Sequence, residues 1–300
     1  MLLAGPAACS TPPAVDPAYA APVMAARLAE PSNREASGLA ASHRTSGLVW
    51  THNDSGGVPV LFGLDAATGA LRGRVRIAGV TNTDWEDVDS FTLDGRHWLL
   101  IADTGDNHAR RPRVVLHVIE EPAAEALDAG GELTVIPAYS IHFVYEHGAR
   151  DCEAVAVDPR ERTVWLLTKR DTPARLYRLP LQAATAALPA TARFTGNVPH
   201  LRQPDALQRL VQAPLGALIG MPTAMAFAPD GSAAAVVLYG DMLLFPRRPG
   251  ETWAEALARE PVKLPPHKLP QAEAVTFSAD GRHLYVCSEL DDRLLRYDLP

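Results

Sequence analysis

Short apolar runs recur along the chain, each closed by a turn signal, and they fall into a repeating set. An alternating stretch opens each copy: Glu35-Ala-Ser-Gly-Leu-Ala-Ala, Glu86-Asp-Val-Asp-Ser-Phe, Glu153-Ala-Val-Ala-Val-Asp, Thr223-Ala-Met-Ala-Phe and Glu273-Ala-Val-Thr-Phe. Turn pairs such as Asp94-Gly95, Asp230-Gly231 and Asp280-Gly281 follow, as expected of hairpins. A second run comes next, at Leu48–Thr51, His97–Ile101, Val164–Leu167, Ala235–Leu238 and His283–Val286. A third lies at Val60–Leu64, Val114–Val118, Arg175–Leu179, Met242–Phe245 and Arg293–Tyr297. A more polar fourth is visible at Leu71–Ile77 and Tyr139–Val144. Helical patterns are confined to connections, at Ala123–Leu127, Pro204–Ala213 and Glu251–Arg259.

Four strands per copy, with copies roughly 50 to 70 residues apart, predict an all-β five-bladed β-propeller. A six-bladed ring is the alternative if one of the longer intervals hides a degenerate copy. The final copy, from Glu273 to Pro300, has room for three strands only. The orphan run Val23–Leu28 then completes that last blade from the N-terminal side and hides an open edge. Residues 23–300 therefore read as one domain.

Residues 1–22 stand apart. Small residues lead to Cys9, followed by Ser-Thr-Pro-Pro and an Ala/Pro-rich stretch. This resembles the end of a bacterial lipoprotein signal, with a start codon called too late, and predicts an exported protein, periplasmic or lipid-anchored at Cys9; a disordered leader is the alternative. No run approaches the roughly 18 apolar residues of a membrane-spanning helix. Cys152 and Cys287 lie in strand-like runs and read as small core residues, a bridge between them being the alternative.

Composition narrows the partners. With 28 Lys and Arg against 35 Asp and Glu, the net charge is −7, which leaves no basic surplus for nucleic acid. The expected partner is a small molecule or an envelope component, and the expected state a monomer. Arg110-Arg111-Pro112-Arg113 reads as a solvated loop.

In a propeller the first strand lines the channel, and its start lies beside the end of the second strand. One rim should therefore collect Glu35, Glu86, Glu153 and Glu273, with Asn53, Asp54, Asp103, Asp106, Asn107, Arg150, Asp151 and Lys169. Carboxylates crowded around a narrow opening repel unless neutralised. A hard cation such as Ca²⁺, held by Glu35, Glu86, Glu153 and Glu273, is one remedy. Pairing with Arg34, Arg150, Lys169 or Arg170 is a second, and raised carboxylate pKa values a third. The glutamates could instead serve as mortar, bonded to the backbone of the next blade. In an enzyme, Glu86 or Glu153 would act as general base and Lys169 or Arg150 would steady developing charge, in hydrolysis of an ester, lactone or phosphoester. A non-catalytic interaction scaffold is the rival.

Several motifs carry a resemblance. Glu35-Ala-Ser-Gly-Leu-Ala with Val49–Gly56, then Asp84–Asp87, Asp103–Asn107, Asp151–Ala154 and Thr168-Lys169, resemble exported bacterial propellers of the phytase-like (esterase-like), WD-repeat-like type. The resemblance implies the fold and the rim residues. It does not carry phytase activity over, because few basic residues fall on this rim and Thr223 replaces Glu in the fourth copy.

Overall fold

The computed structural model describes residues 16, 18–30, 32–33, 35–127, 131–201 and 218–300. Cys9, Arg34 and the helical pattern at 204–213 lie outside them. The regular elements among the described residues are almost entirely β-strands. A first strand, β1 (Val23–Arg27), precedes the repeats. Group I comprises β2 (Ala36–Ala41), β3 (Leu48–Asn53), β4 (Val60–Asp65) and β5 (Leu71–Ile77). Group II comprises β6 (Trp85–Leu93), β7 (Arg96–Asp103), β8 (Val114–Glu120) and, after the short β9 (Glu132–Val135), β10 (Tyr139–Tyr145). Group III holds β11 (Cys152–Asp158), β12 (Thr163–Thr168), β13 (Ala174–Pro180) and β14 (Ala190–Val198). Group IV holds β15 (Pro222–Phe227), β16 (Ala233–Leu238), β17 (Met242–Pro246) and β18 (Val262–Lys263). Group V holds β19 (Ala272–Phe277), β20 (His283–Ser288) and β21 (Asp291–Asp298).

Within each group successive strands pair antiparallel, and β1 pairs with β21 as the outer strand of group V. Two edge pairings were not foreseen: β9 adds in parallel to β5, and β14 adds in parallel to β10, joining the outer edges of groups II and III. These pairings cover edges that would otherwise expose unpaired backbone. Among the described residues, the helical pattern at 123–127 is a 3-10 turn at Ala124–Ala126 and that at 251–259 a short helix, α1 (Trp253–Leu257), with a Thr252–Glu255 capping box.

The innermost strands meet in cyclic order: β2 packs on β6, β6 on β11, β11 on β15, β15 on β19, and β19 back on β2. The apolar core is divided accordingly. Each of its clusters lies between two consecutive groups, including one of Ala36, Val49, Phe62, Ala274 and Cys287 between the last and the first. Alternation along one strand serves two clusters, Val155 and Val157 facing group II while Ala154 and Ala156 face group IV. This is the arrangement of a β-propeller. Cys152 and Cys287 are buried free thiols in different clusters.

Groups are also tied by side chains that bond the neighbouring backbone. Ser37 Oγ donates to Glu86 O (2.8 Å), Thr104 Oγ1 to Cys152 O (2.8 Å) and Thr223 Oγ1 to Ala272 O (2.7 Å). Asp87 and Asp89 of β6 accept from the amides of Val155 and Val157. The mortar between sheets is thus Ser, Thr and Asp, and not the strand-start glutamates.

Thr223→Val keeps the shape of that side chain but leaves the Ala272 carbonyl without its donor. Urea unfolding should show a loss of about 1–3 kcal/mol. An unchanged midpoint would remove this bond from the list of forces closing the ring.

Candidate functional site

One irregularity repeats in every inner hairpin. The register slips between Ser37 and Leu39, Trp85 and Asp87, Cys152 and Ala154, Pro222 and Ala224, and Ala272 and Ala274. The residue skipped by the pairing is Gly38, Glu86, Glu153, Thr223 or Glu273. A bulge of this kind bends the strand and re-aims one side chain. It explains why Glu86, Glu153 and Glu273, far apart in sequence, turn toward a common mouth. It also corrects one expectation: the register partner of these glutamates in group I is Gly38, three residues beyond Glu35. At Gly38, with φ 71°, a Cβ would stand 2.6 Å from His52 Nε2 and 2.8 Å from the Val88 amide, so no side chain fits.

Glu35 is exposed, and among the described residues it is held through its backbone: its N–H donates to Asn53 Oδ1 and its carbonyl accepts from Asp54 N–H. Acids gather elsewhere, Glu86 buried and Asp54 and Asp84 half-buried. Asp54, Asp84 and Glu86 form one triad whose nearest carboxylate oxygens all lie within 4.8 Å of one another. Glu86, Asp151 and Glu153 form a second with the same spacing. Glu86 belongs to both.

Around this pair the cations are few. Lys169 Nζ donates to Glu153 and, at 2.9 Å, to Tyr239 Oη, which donates in turn to Glu273 Oε1 at 3.1 Å. Arg170 Nε donates to Asp151 Oδ2 at 2.5 Å, and another guanidinium nitrogen meets Asn107. The other oxygen of Asp151 accepts from the Asp106 amide at 2.9 Å. Asp103 accepts from Arg111 at 2.6 Å and from Thr83 N–H at 3.1 Å. Arg150 turns away, toward the carbonyls of His147 and Ala149 and toward Asp171. It does not face the acids as the charge-steadying role required.

Glu86 is the exception to this pairing. It is 5% exposed, and among the described residues no donor reaches its carboxylate. Asp54 Oδ1 is also buried without a partner. The backbone of Gly105 closes over the triad so tightly that a Cβ there would collide with Glu86 and Asp84. Titration follows from this crowding. Burial, then Glu153, Asp54 and Asp84, push Glu86 well above the usual carboxylate range against the pull of Lys169. Burial and Asp54 raise Asp84 to about 6, and burial and Glu289 raise Glu273 to about 7. Burial works against the Lys169 ammonium too, but the Glu153 carboxylate and Tyr239 outweigh it and hold the lysine charged.

Asp84 and Tyr239 fall on the rim that the strand starts and ends predict, but no binding or catalytic role was expected of either. Asp84-Trp85-Glu86 and Asp151-Cys152-Glu153 share an Asp-x-Glu spacing that pairs Asp84 with Asp151. Tyr239 replaces Lys169 at the same step of the next group.

No protein-family model matches the chain, and no curated protein matches it in sequence. Among solved structures it is similar to a gluconolactonase from Xanthomonas campestris, at 13% identity over 99% of each chain with a TM-score of 0.47. It is similar also to a PQQ-bound aldose sugar dehydrogenase from Streptomyces coelicolor, at 11% identity over 95% of this chain and 99% of that one, TM-score 0.47. A third is the WD40 domain of Neurospora crassa Pan2, at 11% identity over 96% and 98%, TM-score 0.47. These likenesses concern the all-β, many-sheeted fold, and the chemistry of the mouth has to be argued from its own residues.

The raised carboxylates set a pH dependence. Asp84 and Glu273 bind protons more tightly when folded than the ordinary carboxylate near 4, so folding takes up protons and stability falls as pH rises through about 6 to 7. Buried Asp89, raised to about 7, adds to the same trend. Protein stripped of divalent ions should melt at a lower temperature at pH 8 than at pH 5. Buried His52 and His117, lowered to about 4, work the other way below pH 6.5, so the decisive comparison is with Glu273→Gln: a melting-point change from pH 5 to pH 8 identical to that of the wild type would contradict the protonation assigned to Glu273.

Proposed function

We propose that this chain is a five-bladed β-propeller whose channel mouth binds a divalent cation, Ca²⁺ in the first instance, and so engages a small ligand. The blade number is supported by the cyclic contact of β2, β6, β11, β15 and β19. The observation that carries the cation reading is the Glu86 carboxylate, buried, without a donor among the described residues, and shared by two acid triads. A buried carboxylate in that state is costly unless a counter-charge arrives. The donor set is all oxygen, which suits a hard ion bound at 2.3–2.6 Å; Asp54, Asp84 and Glu86 are its uncompensated members, since Asp151 and Glu153 already engage Arg170 and Lys169. Glu273 stands apart from both triads, tied to Tyr239, and Glu35 is exposed. The cation site therefore lies to the side of groups I to III, in place of the symmetric ring of four glutamates.

Hydrolysis of an ester, lactone or phosphoester is the second reading, and the Lys169–Tyr239–Glu273 chain favours it. A bound ion would polarise the substrate and acidify a water. Lys169 would steady negative charge at the mouth, and Glu273, with its pKa about 7, is suited to hold or accept a proton near neutrality. Glu86 and Glu153 would then act as ligands, and neither as the base. Export to the periplasm belongs to the same proposal and rests on the pattern of residues 1–22 alone.

Calorimetric titration of stripped protein with Ca²⁺ should show binding, and saturating Ca²⁺ should raise the melting temperature. At a hundredfold excess over Kd the stabilisation is about 2.7 kcal/mol. Glu86→Gln should lose both effects while remaining folded. Equal melting in Ca²⁺ and in chelator would overturn the cation reading. Turnover of an ester or lactone panel that survives Glu273→Gln would remove the hydrolytic role given to that residue.

A further inference from the structure

Beside the acid cluster, a cavity of about 180 Å³ opens between the β7–β8 loop and the β10–β11 loop. Its rim is basic although the chain is acidic. Arg110, Arg111 and Arg113 come from one loop and Arg150 from the other, while Phe143 and Tyr145 provide an apolar floor.

The charges on this rim do not cancel. Arg111 is engaged by Asp103 and by the carbonyl of Gly105, and Arg150 by backbone carbonyls and Asp171. Asp106, the acid in the wall, has both oxygens filled by the amides of Arg110 (2.8 Å) and Arg111 (2.7 Å). That leaves the guanidinium groups of Arg110 and Arg113, both exposed, without a partner among the described residues. Asp106 does more than fold the loop: its own amide donates to Asp151, a member of the second acid triad. The basic cavity and the acidic mouth are thus adjacent and rigidly coupled.

We propose that this cavity is a recognition pocket for an oxyanion carried on a single apolar ring, of which an aryl phosphate is the simplest example. Guanidinium forks suit phosphate and carboxylate oxygens. The volume matches one ring, since a cavity of about 150 Å³ lined by apolar side chains accommodates benzene. The assignment goes beyond the cation reading and does not require it, because none of the pocket's free charges belongs to a triad. Together the two sites would present an anionic ligand beside a bound cation.

The test uses full-length protein, stripped of divalent ions and desalted, titrated calorimetrically with phenyl phosphate. Binding should weaken as NaCl is raised, and the double variant Arg110→Gln/Arg113→Gln should bind about tenfold more weakly with an unchanged melting temperature. Inorganic phosphate should bind more weakly than phenyl phosphate, and phenol not at all. Glu86→Gln should leave the titration unaltered, which separates this pocket from the cation site. Equal binding by wild type and the double variant, or no binding at millimolar phenyl phosphate, would overturn the proposal. Inorganic phosphate binding as tightly as phenyl phosphate would overturn the ring-shaped part of the site.

Discussion

Crowding at the axis governs this molecule. The inner strands pack on one another around a closed ring, so each alternates larger residues with small ones and lets one position leave the pleat. Among the small residues, Ala40, Ala154, Ala156, Ala224, Ala226, Ala272 and Ala274 are all buried there. The bulge accounts for the position that leaves. By giving the second hairpin strand one residue fewer, it frees one position per group from the ladder and turns it toward the mouth. Where that position is Glu, an acid enters the opening; where it is Thr223, the side chain bonds the next group and tightens the ring.

Two populations of buried carboxylates result, and they differ in what surrounds them. Asp87 and Asp89 are satisfied by backbone amides across the interface between groups II and III. Their burial is the cost of a specific seam. Asp54, Asp84 and Glu86 face one another with few donors, so their burial has no structural return among the described residues. Stability alone favours neutral groups there, because an apolar replacement avoids the desolvation of charge. Acids whose mutual crowding pushes their pKa values up in this way are a feature that clusters at functional sites.

Much of the fold was legible in the chain. Alternation and turn pairs located the strands of each repeat, and the missing fourth strand after Tyr297 implied closure by Val23–Arg27, which pairs there. The parallel edge additions by β9 and β14 were not legible, since edge pairing depends on how loops return and leaves no periodic trace. At the mouth, Glu86, Glu153 and Glu273 could be placed together because the bulge preserves their motif. Glu35 was aligned with them by its letter and its Ala-rich context. The true counterpart, Gly38, is recognisable only from register and positive φ, which a sequence motif does not display. The arginine loop was equally opaque, because its meaning depends on Arg150 and Phe143 arriving from the far side of group II.

The departures from symmetry decide what such a mouth can do. A ring with Glu at every bulge would repel itself evenly and attract an ion on the axis. Here Gly38 and Thr223 remove two of the positions, Lys169 neutralises Glu153, and Tyr239 takes up Glu273. The uncompensated field is left on one side, among Asp54, Asp84 and Glu86, next to the loop that carries Arg110 and Arg113. Arg110 and Arg113 do not find a partner among the nearby acids Asp103, Asp106 and Asp151, whose oxygens are already occupied. On the proposed readings of the two sites, a ligand bearing an oxyanion would meet guanidinium at one end and a bound cation at the other. A symmetric channel could not orient it in this way.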